Sequence, residues 1–186
     1  RIAPATATGL FLTTVWMPLF SQELFWACLA VIFGALACLV RCALLLTRHP
    51  ARGGRAPAWA RVPLSLHAGW LTLAAFLNLA QVIVAYELLP SDRQLPWSLV
   101  LWAAAAATLL VLNHRMRGNL AYVAAVLWGL VAVAVRQWGH ALPGADTSAW
   151  IAAGLAVVFA AQTAVLRHRR GGRHTLPARP LSPVGK

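Results

Sequence analysis

Apolar residues fall in five long runs separated by short polar stretches. That pattern predicts five helices: Glu23–Leu46, Pro63–Leu89, Pro96–Asn113, Asn119–Trp138 and Ser148–Leu166. Each is close to the ~20 residues a helix needs to cross ~30 Å of hydrocarbon. The runs do not alternate in polarity, which excludes the strands of a membrane barrel. A further apolar run, Ala7–Phe20, is too short to span alone, and Pro18 and Ser21-Gln22-Glu23 set it apart from the first long run. It reads as the end of an earlier helix, or else as a re-entrant or interfacial piece. The expected fold class is all-α: a polytopic transmembrane helical bundle with five full spans, preceded by that segment. The expected organisation is an outer-side segment or incomplete helix over 1–22, a transmembrane domain over 23–167 and a basic cytoplasmic tail over 168–186.

Polar residues inside the runs carry the information about chemistry. The second run holds His67, Trp70 and Asn78, and such groups cost free energy in lipid unless they find partners. His67, Trp70 and Ala74 are spaced i, i+3, i+7, with Asn78 at i+11, so all four share one helical face. Ala68, Gly69, Ala74 and Ala75 let a second helix or a flat ring approach closely. A neutral imidazole can be an axial ligand to a haem or a magnesium tetrapyrrole; a hydrogen bond to a neighbouring helix is the plainer role for His67. Asn78 and Gln81 call for interhelical partners, worth ~0.6 to 2 kcal/mol each. The run Ala103–Ala107 offers a smooth surface for a helix or a second subunit.

Composition changes the picture in two ways. Of 186 residues, 60% are hydrophobic and 11% charged, with a mean hydropathy of +0.69, so the natural solvent is lipid. The net charge of +12 does not mark a nucleic-acid face, because the cations lie between apolar runs. Thirteen of the 16 basic residues fall after the first, third and fifth spans or, for Arg41, near the end of the first, while all four acids (Glu23, Glu87, Asp92, Asp146) lie at the other ends. The positive-inside rule then puts the basic loops and the C-terminus in the cytoplasm of a bacterial inner membrane, cytoplasmic or photosynthetic, and residue 1 outside. The Arg-rich tail would lie against anionic headgroups.

Trp26, Trp97, Trp138 and Trp150, and Trp59 at the opposite side, read as interfacial anchors. Trp16, Trp70, Trp102 and Trp128 fall deeper, where they pack or stack on a flat ligand. Arg136 can snorkel to the outer interface and pair with Asp146 or Glu87. Cys28, Cys38 and Cys42 share one run without paired spacing, so packing is expected and a dedicated metal site is not. The last three spans hold no interior acid, which argues against an ion-coupled transporter. No nucleophile triad, phosphate loop or zinc motif can be assembled, so no enzyme is expected.

Two motifs carry a resemblance. Trp16-Met17-Pro18-Leu19-Phe20 is similar to the W-S-P-L-F segment of the tryptophan-rich sensory protein family, also called translocator or TspO/MBR proteins. Trp70-x-x-x-Ala74-x-x-Leu77-Asn78 resembles that family's W-x-x-x-A-x-x-L-N pattern, with His67 where the family has Tyr and Thr13 in place of an Asn. The resemblance covers about Thr6 to Ala80; the family's first two helices have no counterpart, and the last three spans lie beyond its usual end. It implies a membrane protein that binds porphyrins and sterol-like molecules among its helices, with Trp16, His67, Trp70 and Asn78 lining the site. The implied cofactor is a porphyrin, haem or chlorophyll-type tetrapyrrole, and the implied partners are the lipid bilayer and a hydrophobic small molecule, not nucleic acid. The alternative is a non-catalytic accessory or structural subunit among other subunits of a photosynthetic or respiratory membrane complex.

Overall fold

The computed structural model describes residues 2–48, 56–90, 94–139 and 144–171. Among them are six helices and no strand: α1 Ala3–Ser21, α2 Phe25–Arg48, α3 Ala56–Ala85, α4 Gln94–Arg115, α5 Leu120–Gln137 and α6 Ala145–Gly171. The last five are long and apolar enough to cross a membrane, matching the five expected spans. Asn119 caps α5, its side chain accepting from Ala121 N–H at 3.1 Å. The second span starts earlier than expected, because α3 runs straight through Pro63. It stops at Ala85, before a turn in which Glu87 has φ 50°. The expected tail begins as helix, since α6 continues to Gly171; residues 172–186 lie outside the described residues.

The N-terminal run differs most from expectation. It is one continuous helix of 19 residues, about 28 Å long. Pro4 sits in its first turn, where a missing N–H costs nothing. Two of its threonines turn their hydroxyls onto the helix itself: Thr13 Oγ1 donates to the Gly9 carbonyl at 2.9 Å and Thr14 Oγ1 to Leu10 at 3.1 Å. Its direction also corrects the sequence reading. Thr6 Oγ1 lies 3.5 Å from Cys42 Sγ, and Cys42 Sγ is 3.7 Å from the Ile2 carbonyl, while Phe20 meets Phe25 edge-on at 5.6 Å. Thus α1 is antiparallel to α2 along its whole length. The start of α1 lies at the basic end of the bundle, not at the end that holds Glu23.

Successive helices alternate in direction. Trp26 stacks on Tyr86 at 5.8 Å, and Phe33 meets Phe76 at 6.4 Å, fixing α2 antiparallel to α3. α3 and α5 are parallel and very close. Asn119 Nδ2 donates to Ser65 Oγ at 2.8 Å, and Tyr122 O–H to Thr72 Oγ1 at 3.3 Å. A Cβ added at Gly69 would come within 2.6 Å of the Tyr122 carbonyl oxygen, so only glycine permits this approach. α6 closes the bundle against α5, with Tyr122 beside Phe159 and Trp138 edge-on to Trp150 at 5.0 Å. The core is centred on Leu39, Leu109, Tyr122, Leu130 and Phe159, all fully buried.

Candidate functional site

α1 and α3 run in the same direction on one side of α2 but barely touch each other, and a cavity of about 510 Å³ fills the wedge between them. Its floor is Ile32 and Ala35 of α2. Every sequence-predicted site residue lines it: Trp16 from α1, and His67, Trp70 and Asn78 from α3. The helical repeat explains this. Thr13, Trp16 and Phe20 form a stripe at i, i+3, i+7 on α1, and the α3 stripe noted above faces it across the gap.

Two polar contacts bridge the wedge. Asn78 Nδ2 donates to the Ala74 carbonyl one turn back at 3.0 Å, which orients the amide. Its Oδ1 then accepts from Trp16 Nε1–H at 3.0 Å. Each group thereby finds the partner that an apolar setting demands. Nearer the basic end, His67 Nε2 lies 3.4 Å from Thr13 Oγ1. The Thr13 hydroxyl also lies 2.9 Å from the Gly9 carbonyl; when its hydrogen is given there, the Nε2–H tautomer of His67 donates to Thr13 and leaves the Nδ1 lone pair free. The thiol of Cys28 points to the Trp16 carbonyl at 4.0 Å, behind the wedge wall.

The remaining surface is aromatic and aliphatic. Trp16 and Phe20 stack at 4.9 Å with planes 29° apart. Trp70, at 52% exposure, stands at the mouth, with Leu77 and Met17 also exposed. The wedge is therefore open sideways, toward what would be lipid. It offers flat aromatic faces, the amides of Asn78 and Gln81, the Thr13 hydroxyl and an imidazole, and no carboxylate or cation. Among the described residues no group of three His, Cys, Asp or Glu side chains could hold a metal ion. A single imidazole suits only a metal already held by four ring nitrogens.

Other expectations land elsewhere. Trp128 is exposed on the outer face of α5. Trp102 lies in a smaller space, about 190 Å³, between α3 and α4 beside Trp97. Gln81 sits at the rim of the wedge rather than deep in a helix interface. Asp146 accepts from Gly139 N–H at 3.4 Å, and among the described residues Arg136 makes no ion pair. Cys28 and Cys42 are buried free thiols. A polar cluster went unnoticed in the sequence: Asn113 Nδ2 donates to Gln162 Oε1 at 2.7 Å and Thr163 Oγ1 at 3.0 Å, tying α4 to α6. The signal was an amide in each of two apolar runs, masked because Asn113 stood at a predicted helix end.

Fold and cavity together define a polytopic helical membrane protein with an aromatic-walled pocket opening between two helices. The chain belongs to the TSPO-like protein family, whose model matches residues 1–165. That match takes in α4, α5 and most of α6, which the two motifs alone had left outside the family. No curated protein and no solved structure matches the chain.

Proposed function

We propose that this protein binds a flat hydrophobic ligand, of the tetrapyrrole or sterol-like class, in the wedge between α1 and α3. The observation that carries this reading is that Trp16, His67, Trp70 and Asn78, drawn from two distant motifs, surround one cavity. Its volume falls within the ~300–1,000 Å³ of small-molecule sites, and a few polar groups on an apolar wall are what such sites use for orientation. Trp70 and the Trp16–Phe20 pair supply the stacking faces. Asn78 and the imidazole orient polar substituents, and His67 Nδ1 is the lone pair open to the iron or magnesium of a metallated ring. A ligand seated here joins α1 to α3, which otherwise meet mainly through two hydrogen bonds, so occupancy is translated into the position of α1. That is the action of a sensor or carrier rather than an enzyme. We place the protein in a bacterial inner membrane with the arginine-bearing end cytoplasmic; α1 then begins on the cytoplasmic side.

The test is a titration of the purified protein in mild detergent with a free-base porphyrin, followed by absorption. Saturable binding is expected, weakened at least about tenfold by Trp70→Ala through the lost stacking. Non-saturating uptake, equal in W70A, would sink the proposal. With haem, His67→Ala should abolish the ligand-field band; an unchanged band removes the axial role alone. A second reading, an accessory subunit, is favoured by one feature: Ala103, Ala104 and Ala107 are exposed on α4, a small-residue surface for a partner helix. Stoichiometric co-purification with other membrane subunits, together with indifference to porphyrin, would select it.

A further inference from the structure

The sequence scatters its arginines, but the fold gathers four of them. The α4–α5 turn is tight: Arg117 and Gly118 both have positive φ, 54° and 66°, and Gly118 N–H closes on the Asn113 carbonyl at 3.1 Å. The next residue, Asn119, is buried and bonded to Ser65 of α3. Gly118 packs on α6 so closely that a Cβ there would lie 3.3 Å from Arg167 Cγ. One turn further, Arg170 Nη1 donates to the Arg117 carbonyl at 3.1 Å. Arg61, one helical turn before Ser65, completes the group. Arg61, Arg117 and Arg167 are the charges that act on Arg170.

Backbone and packing contacts bring Arg61, Arg117 and Arg167 together without using their charge, and Arg170 joins them through one guanidinium N–H. Arg61 and Arg170 are only partly exposed, so water and salt screen them less than free surface side chains. The described acids, Glu23, Glu87 and Asp146, are all at the opposite end of the bundle. Arg170 spends one N–H on a carbonyl, and among the described residues most of the group's guanidinium donors have no partner. Mutual repulsion of this kind is relieved by an anion able to accept several donors at once. Phosphate matches the planar forks of arginine best.

The level of the cluster selects the kind of phosphate. It stands where the apolar runs end. Immediately along α3 and α5 come Val62, Leu66 and Leu120, all exposed apolar side chains, and Trp59 is exposed beside them. We infer that Arg61, Arg117, Arg167 and Arg170 form a site for the phosphate headgroup of an anionic phospholipid, whose chains lie along Val62, Leu66 and Leu120. The site is separate from the α1–α3 wedge and does not depend on it. Basic pockets between membrane helices recognise anionic headgroups in this way.

The full-length chain in nanodiscs of phosphatidylcholine, titrated with phosphatidylglycerol, tests this. Native mass spectrometry should show one retained phosphatidylglycerol, with a matching rise in unfolding temperature. Arg61→Gln with Arg170→Gln should weaken retention about thirtyfold, whereas Arg136→Gln, at the far end, should leave it unchanged. Should the double variant fail to fold, Arg61→Gln alone serves, since Arg61 makes no hydrogen bond among the described residues; about a fivefold loss is expected. Equal loss in R136Q, or retention that never reaches a discrete stoichiometry, overturns the inference. Equal protection by inorganic phosphate in pure phosphatidylcholine overturns the lipid assignment.

Discussion

The two flanks of α3 carry side chains of different size and behave oppositely. Toward α5, Gly69 meets the Tyr122 backbone and Leu73 fills the space over Gly129, so this stretch of the seam is closely packed; a space of about 310 Å³ opens beside it, among Trp70, Leu77, Val133 and Arg136. Toward α1, Trp16, Trp70 and Phe20 prop the helices apart and leave an open wedge. Without a hydrophobic drive between helices in lipid, close backbone approach and hydrogen bonds decide which pairs seal. Small residues on both partners give a seam; bulky aromatics on both give a pocket. α3 therefore acts as a fixed wall on one side and a binding surface on the other.

The largest effect should come from sealing the wrong side. Gly69→Val drives a side chain into the Tyr122 carbonyl and should cost about 1–3 kcal/mol or more by overpacking. A fall in unfolding temperature, read in detergent by tryptophan emission, is expected; a stable G69V protein would mean that the α3–α5 seam is not close-packed. Next is the bridge of the wedge. Asn78→Ala removes the acceptor of the Trp16 indole and should cost about 0.6–2 kcal/mol. It should also blue-shift the Trp16 emission in a chain whose other tryptophans are replaced by phenylalanine. No spectral change would show that the Trp16–Asn78 bond does not form. The smallest effect belongs to Thr13→Val. The long 3.4 Å contact with His67 is lost, stability should change by no more than about 0.5 kcal/mol, and hydrogen exchange in the first half of α1 should rise slightly.

Much of this was legible in the chain. Span lengths and the polar gaps gave five helices, and the cap at Asn119 and the end at Trp138 fell within a residue of the expected limits. The four wedge residues were legible from stripe spacing and two motifs. Their partners were not: helical periodicity states which residues share a face but not which face of another helix lies opposite. The full length of α1 is not legible because Pro4 and four threonines dilute its apolarity, and only the fold shows hydroxyls such as those of Thr13 and Thr14 turned back onto their own helix. The start of α3 is not legible because Arg61 and Pro63 resemble a break, whereas the helix runs through both, Pro63 being an interior proline. The requirement for glycine at position 69 is a matter of ångströms between backbones, which no residue pattern records.

The reversal of α1 has a consequence for assembly. Since Ile2 lies beside Cys42 and α6 finishes beside the α4–α5 turn, the two extremities of the bundle emerge on a common side, together with the arginine-bearing bends. Reporter modules fused to each extremity would share a compartment and could exchange energy, while Glu23, Glu87 and Asp146 look out on the other.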